Sequence, residues 1–89
     1  MDKILIVDDE VQIRKHLTRL MELEGYEVLS AADCKSALKL LEFHALDVVI
    51  CDVFLPDGNG IELVANLHKI LWILYRCNKN QDHLAQISH

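Results

Sequence analysis

Ile4-Leu5-Ile6-Val7-Asp8-Asp9-Glu10 decides the fold: four unbroken apolar residues, mostly β-branched, run straight into three acids. A continuous apolar strand suits a parallel sheet covered on both faces, whereas a half-exposed strand alternates apolar with polar. The acids that end the strand also open a helical pattern. Ile13, Leu17 and Leu20 share one face of it, with Arg14, Lys15 and Arg19 outside. Acidic residues at a helix start are favoured by the helix dipole, and Gly25 after Glu24 predicts the stop.

Working outward, Tyr26–Ala31 reads as a second, more polar strand at a sheet edge. Asp33 can cap a second helix whose buried face carries Ala37, Leu38 and Leu41. Asp47-Val48-Val49-Ile50-Cys51 is a third strand, again continuous and again ending on an acid, Asp52. Leu55-Pro56-Asp57-Gly58-Asn59-Gly60 is dense turn chemistry, in which Asp57 and Asn59 read as turn formers. Strands alternating with helices imply right-handed crossovers and a parallel sheet.

A third helix should start after Gly60. Leu63, Leu67, Ile70 and Leu74 recur at helical spacing, and no Gly or Pro interrupts them, so the pattern predicts one helix to Cys77. The competing reading makes Ile70–Tyr75 a fourth strand, because Ile, Trp and Tyr favour strands. That change of element normally needs punctuation, which the sequence lacks. The division expected is a core over 1–68, an apolar helical extension over 69–77 and a polar tail over 78–89.

The composition, 52% hydrophobic and 26% charged, is that of a globular chain. No apolar run reaches the roughly 18 residues of a membrane span, and no cleavage site follows the opening residues, so a cytoplasmic location is expected. Nine basic against fourteen acidic residues, net −5, argue against a nucleic-acid-binding face. Cys34, Cys51 and Cys77 form no CxxC pair and read as reduced, packed thiols.

The chemistry lies in two acidic clusters, Asp8-Asp9 and Asp52, at the C-terminal ends of two predicted parallel strands. Ligand sites of open α/β sheets sit beyond those ends, where the strand order reverses. If the two strands are neighbours, three carboxylates converge and repel one another unless a cation lies between them. Oxygen-only ligation suits Mg²⁺. A carboxylate beside the cation can attack phosphorus, with Asp52 as nucleophile.

Ile4–Glu10 together with Asp52 and Leu55-Pro56-Asp57-Gly58-Asn59-Gly60-Ile61-Glu62-Leu63 resembles the receiver domains of two-component response regulators. The likeness covers residues 3 to 68. It implies a doubly wound, flavodoxin- and CheY-like parallel sheet and phosphorylation of Asp52 by a histidine kinase or phosphotransfer protein. It further implies Mg²⁺ held by Asp9 directly, by Asp8 through water, by Asp52, and by the main-chain carbonyl of Phe54. A signalling module rather than an enzyme is expected.

The resemblance stops after His68. Receivers continue with a fourth strand ending on Ser or Thr and a fifth ending on Lys. Lys69, Lys79 and Ser88 stand in the wrong context to replace them. The reading is therefore of a truncated or divergent receiver with only three β-α units. Its third strand would be an open edge carrying Val48, Val49 and Ile50, and its helix would expose Ile70, Leu71, Trp72 and Leu74. Such surfaces favour pairing with a second chain, so a homodimer through them is expected. The alternative function is accordingly a dimerisation or interaction module with little or no phosphorylation. Two enzyme readings fail. An aspartate-nucleophile phosphohydrolase would place a second acid where Phe54 stands, and Asp8-Asp9-Glu10 would repel a dinucleotide's pyrophosphate.

Overall fold

The computed structural model describes residues 2–76 and, as backbone, 84–88. In chain order the elements are β1 (Lys3–Val7), α1 (Val11–Leu23), β2 (Glu27–Ala31), α2 (Cys34–Phe43) and β3 (Val48–Asp52). A two-residue hairpin of β4 (Phe54–Leu55) and β5 (Gly58–Asn59) follows, then α3 (Gly60–Ala65), β6 (Leu71–Arg76) and β7 (Leu84–Ser88). The main sheet has the order β2-β1-β3-β6-β7. Its first three pairings are parallel and the last is antiparallel. This is the doubly wound parallel architecture that the strand and helix alternation predicts, with a reversed strand at one edge.

Register explains why β1 has no polar residue between Ile4 and Val7. Leu5, Val7, Val49, Cys51 and Leu74 join Ala37 of α2 and Leu63 and Val64 of α3 in one buried core. Ile4 and Ile6 alternate with these, point to the other face and are buried as well, where α1 lies against β1 and β2. Each such side chain contributes about 1.5–3 kcal/mol through burial. The edge strand β2, Glu-Val-Leu-Ser-Ala, buries only Ala31 fully, which accounts for its polar composition.

The first helix ends as its glycine predicts. Gly25 adopts φ 94, its N–H donates to the Glu22 carbonyl, and that of Tyr26 donates to Met21. This is the paired closure that a left-handed residue just past a helix permits.

The predicted helix to Cys77 does not form. α3 ends at Ala65, Lys69 takes a left-handed φ of 63, and the chain re-enters the sheet as β6. Residues 71–75 pair with 48–52, from Val48↔Leu71 to Asp52↔Tyr75. The helical spacing of Leu67, Ile70 and Leu74 was outweighed by two gains that local periodicity does not see. The backbone of β3 acquires partners along its whole length, and Leu74 enters the core at 3% exposure. The strand preference of Ile, Trp and Tyr acts in the same direction.

The expected dimer surface is corrected with it. β3 is an interior strand. Val49 and Leu74 are buried within one chain, Ile70 and Trp72 pack against the core, and Val48, Ile50 and Leu71 are half-buried in paired strands. The polar tail is corrected in part: Leu84–Ser88 pair antiparallel with β6. Only seven residues connect β6 to β7, and a parallel return needs a crossover of about a dozen or more. Cys77, Lys79 and the rest of 77–83, with His89, lie outside the described residues. Among the described residues no helix is long and apolar enough to cross a membrane.

Candidate functional site

After β1 the chain turns to one side to make β2, and β3 then pairs on the other side of β1. The crevice beyond the carboxyl ends of β1 and β3 is the switch point of the sheet. Val7 is opposite Cys51, so Asp8 and Asp52, one residue further along each strand, are neighbours. Oxygens of Asp8, Asp9 and Asp52 all lie within 4.8 Å of one another. Asp8 and Asp52 are buried, at 0% and 2% exposure, and Asp9 is exposed.

Each carboxylate is held by the chain it belongs to. The Asp8 N–H donates to the Ala31 carbonyl at 3.0 Å, which carries the strand direction one residue past β1. Asp8 Oδ1 accepts the Glu10 N–H at 2.8 Å, turning the chain into α1. Arg14 Nη1 donates to the Asp8 carbonyl at 2.6 Å. Asp52 Oδ1 accepts the Phe54 N–H at 3.1 Å. The Phe54 ring is exposed, with the Arg76 guanidinium 5.3 Å from its centroid, a cation–π distance.

The donor set fits a hard divalent ion. It is all oxygen, it gathers three negative groups in one crevice, and its exposed member leaves an approach from solvent. Asp8, Asp9 and Asp52 would supply the side chains that hold such an ion.

Two residues of the site were missed in the sequence. Tyr75, the penultimate residue of β6, lies opposite Asp52, and its hydroxyl donates to Asp8 Oδ2. Burial, and then the bond to the Asp8 carboxylate, pushes the phenol pKa up. The strand preference of Ile70–Tyr75 was the available signal. Gly60 is the second. A Cβ there would lie 2.3 Å from the Asp52 carbonyl oxygen and 3.0 Å from Cys51 Sγ, while the Gly60 N–H donates to the Val53 carbonyl at 2.8 Å. Glycine is therefore required by close approach to the backbone of Asp52, not by turn chemistry alone.

The turn formers have further roles. Asn59 caps α3 by accepting the Ile61 N–H at 2.7 Å, as Asp33 caps α2 through Ser36. Asp57 reaches across to α2 and accepts from Cys34 and Lys35. Cys51 is buried core. Its thiol donates to the Asp52 carbonyl at 3.2 Å, and burial pushes its pKa up to about 12.

The sequence profile of the response regulator receiver domain matches residues 4–73. The chain belongs to the receiver family. It is similar to the transcriptional regulatory protein CpxR of Escherichia coli K12, 39% identical over 69 residues, which are 78% of this chain and 29% of that protein. Among solved structures it resembles the chemotaxis response regulator CheY4 of Vibrio cholerae. That likeness has TM-score 0.70 and 41% identity, and covers 72% of this chain and 53% of the other. It also resembles the response regulator TrrA of Thermotoga maritima in complex with Mg²⁺-BeF, with TM-score 0.70 and 38% identity over 73% and 56% of the two chains. The chain thus spans under a third of its curated relative and just over half of these receivers. Receivers are signalling modules that work with histidine kinases or phosphotransfer proteins.

Proposed function

We propose that this receiver accepts a phosphoryl group on Asp52 from a histidine kinase or phosphotransfer protein, with Mg²⁺ held by Asp8, Asp9, Asp52 and the Phe54 carbonyl. The observation that carries the reading is the meeting of three carboxylates at the switch point. The TrrA structure, a complex with Mg²⁺-BeF, supports it from a relative. A bound Mg²⁺ offsets the charge that gathers on the phosphoryl oxygens.

The remaining chemistry belongs to the chain. A carboxylate oxygen of Asp52 forms the new O–P bond while the donor's bond to phosphorus breaks, and the electron pair leaves with the donor atom. The Phe54 N–H on Oδ1 fixes the carboxylate, which supports positioning for in-line attack. Incubation with acetyl phosphate and Mg²⁺ tests the reading. The expected result is a mass gain of one phosphoryl group that is absent in Asp52→Asn; no gain in the unaltered chain contradicts it.

The alternative, a module that keeps the scaffold with little phosphorylation, draws on one observation: β6 carries Tyr75 near its end, whereas the fourth strand of receivers ends on Ser or Thr. Self-association through β3 forms no part of the proposal, because that strand is paired on both sides. Confinement to the cytoplasm remains an expectation of the family reading.

A further inference from the structure

We infer that Tyr75 is a gate on the acidic site, competing with a divalent cation for Asp8. The inference rests on the metal-binding reading of the three carboxylates and goes beyond it. Asp8, Asp52 and Tyr75 lie at the carboxyl ends of three adjacent parallel strands. The register, Ile6↔Ile50↔Ile73, puts all three side chains on the same face of the sheet. The phenol hydroxyl donates to Asp8 Oδ2, while Asp8 Oδ1 already accepts the Glu10 N–H. Both oxygens of this fully buried carboxylate are therefore engaged by the chain itself. A cation, or a water that it carries, can use Oδ2 fully only by displacing the hydroxyl.

The placement makes the contact a built feature. Val53 N–H donates to the Tyr75 carbonyl at 2.8 Å, so the main chain at Tyr75 is tied to the residue after Asp52. That tie fixes the strand end, so rotation about the Tyr75 side-chain torsions is what moves the hydroxyl on or off Asp8. A small hydroxyl-bearing residue at the same strand end could not reach across to Asp8 in this way, because the phenol extends the donor by the length of a ring. Tyr75 is thus a positioning residue: it holds Asp8 and sets the affinity of the site for its ion.

The test uses Mg²⁺ alone on the full chain, with no phosphoryl donor. The sequence has two tyrosines, Tyr26 and Tyr75, so ¹³Cζ-tyrosine labelling gives a two-line NMR spectrum. Mg²⁺ should shift the Tyr75 line as its hydroxyl leaves Asp8, and leave the line of Tyr26 in place. Calorimetric titration should show Tyr75→Phe, which keeps the ring and loses the donor, binding Mg²⁺ about ten-fold more tightly. That factor corresponds to one hydrogen bond to a charged acceptor. If backbone amides of Asp9 and Asp52 respond to Mg²⁺ while the Tyr75 line stays still, the gate is refuted and the metal site stands. Unchanged or weaker binding by Tyr75→Phe refutes it likewise. If neither protein binds Mg²⁺, the metal-site reading and the gate fall together.

Discussion

Asp57 Oδ1 accepts the backbone N–H of Cys34 at 2.7 Å, and its Oδ2 accepts that of Lys35 at 3.0 Å. The loop that follows β3 is thereby fastened to the first turn of α2. Two free N–H groups of that helix are satisfied by an acid more than twenty positions away in the chain. The neighbouring cap is local: Asp33 takes the Ser36 N–H. Between them the two aspartates hold the α2 start and the β4–β5 hairpin in one arrangement.

The pH dependence of this tie has a definite sign. Its two backbone donors hold the Asp57 pKa below the ordinary value of 3.8. A carboxylate lowered in the folded state adds stability that is fully present above its unfolded pKa and is lost as pH falls through the folded one. Asp57→Ala should therefore melt at a lower temperature than the unaltered chain at pH 7. The gap should close as pH is brought below 3.8 and through the lowered value. Thermal melts across an acid series check this; a gap that persists undiminished at the acid end contradicts it.

Gly60→Ala should disturb the site through the backbone. The new methyl would meet the Asp52 carbonyl oxygen at 2.3 Å, a distance that forces β3 or α3 to move. The expected cost is about 1–3 kcal/mol in denaturant unfolding, accompanied by weaker Mg²⁺ binding as Asp52 is displaced. Gly58, whose added Cβ would meet the Cys34 thiol at 3.0 Å, is the comparison. Its substitution should disturb the hairpin and spare the ion.

How much was legible in the sequence follows from which forces were local. β1, β3 and the acids that end them could be read because continuous apolar strands and capping acids declare themselves within a few residues. β6 could not, because its pairing with β3 is a long-range gain competing with a local helical pattern, and the turn that releases it sits on Lys69, a residue with no turn signature. Placing Leu71–Arg76 in a helix hid Tyr75 from the site and left β3 apparently bare. From that one error came the expected dimer edge at β3. Asp57 was visible as a turn residue, but its helix partner depends on how α2 and the hairpin meet, which spacing along the chain does not encode.

Lys69 gives that turn a test of its own. Its φ of 63 places a residue with a Cβ in the left-handed region, where the steric penalty is roughly 1–2 kcal/mol. Lys69→Gly should remove that penalty. The extra freedom of glycine in the unfolded chain takes back part of the gain, so a net stabilisation of about 0.5 kcal/mol or more is expected in urea unfolding. Destabilisation would mean that the chain does not turn there, and that β6 is reached another way.

The central claim is that the acids ending β1 and β3 form one divalent-ion pocket, and amide NMR during a Mg²⁺ titration tests it most directly. The account predicts saturable shifts centred on Asp8, Asp9, Asp52 and Phe54, abolished in Asp9→Asn with the fold intact. A spectrum that stays unchanged up to millimolar Mg²⁺ would contradict it.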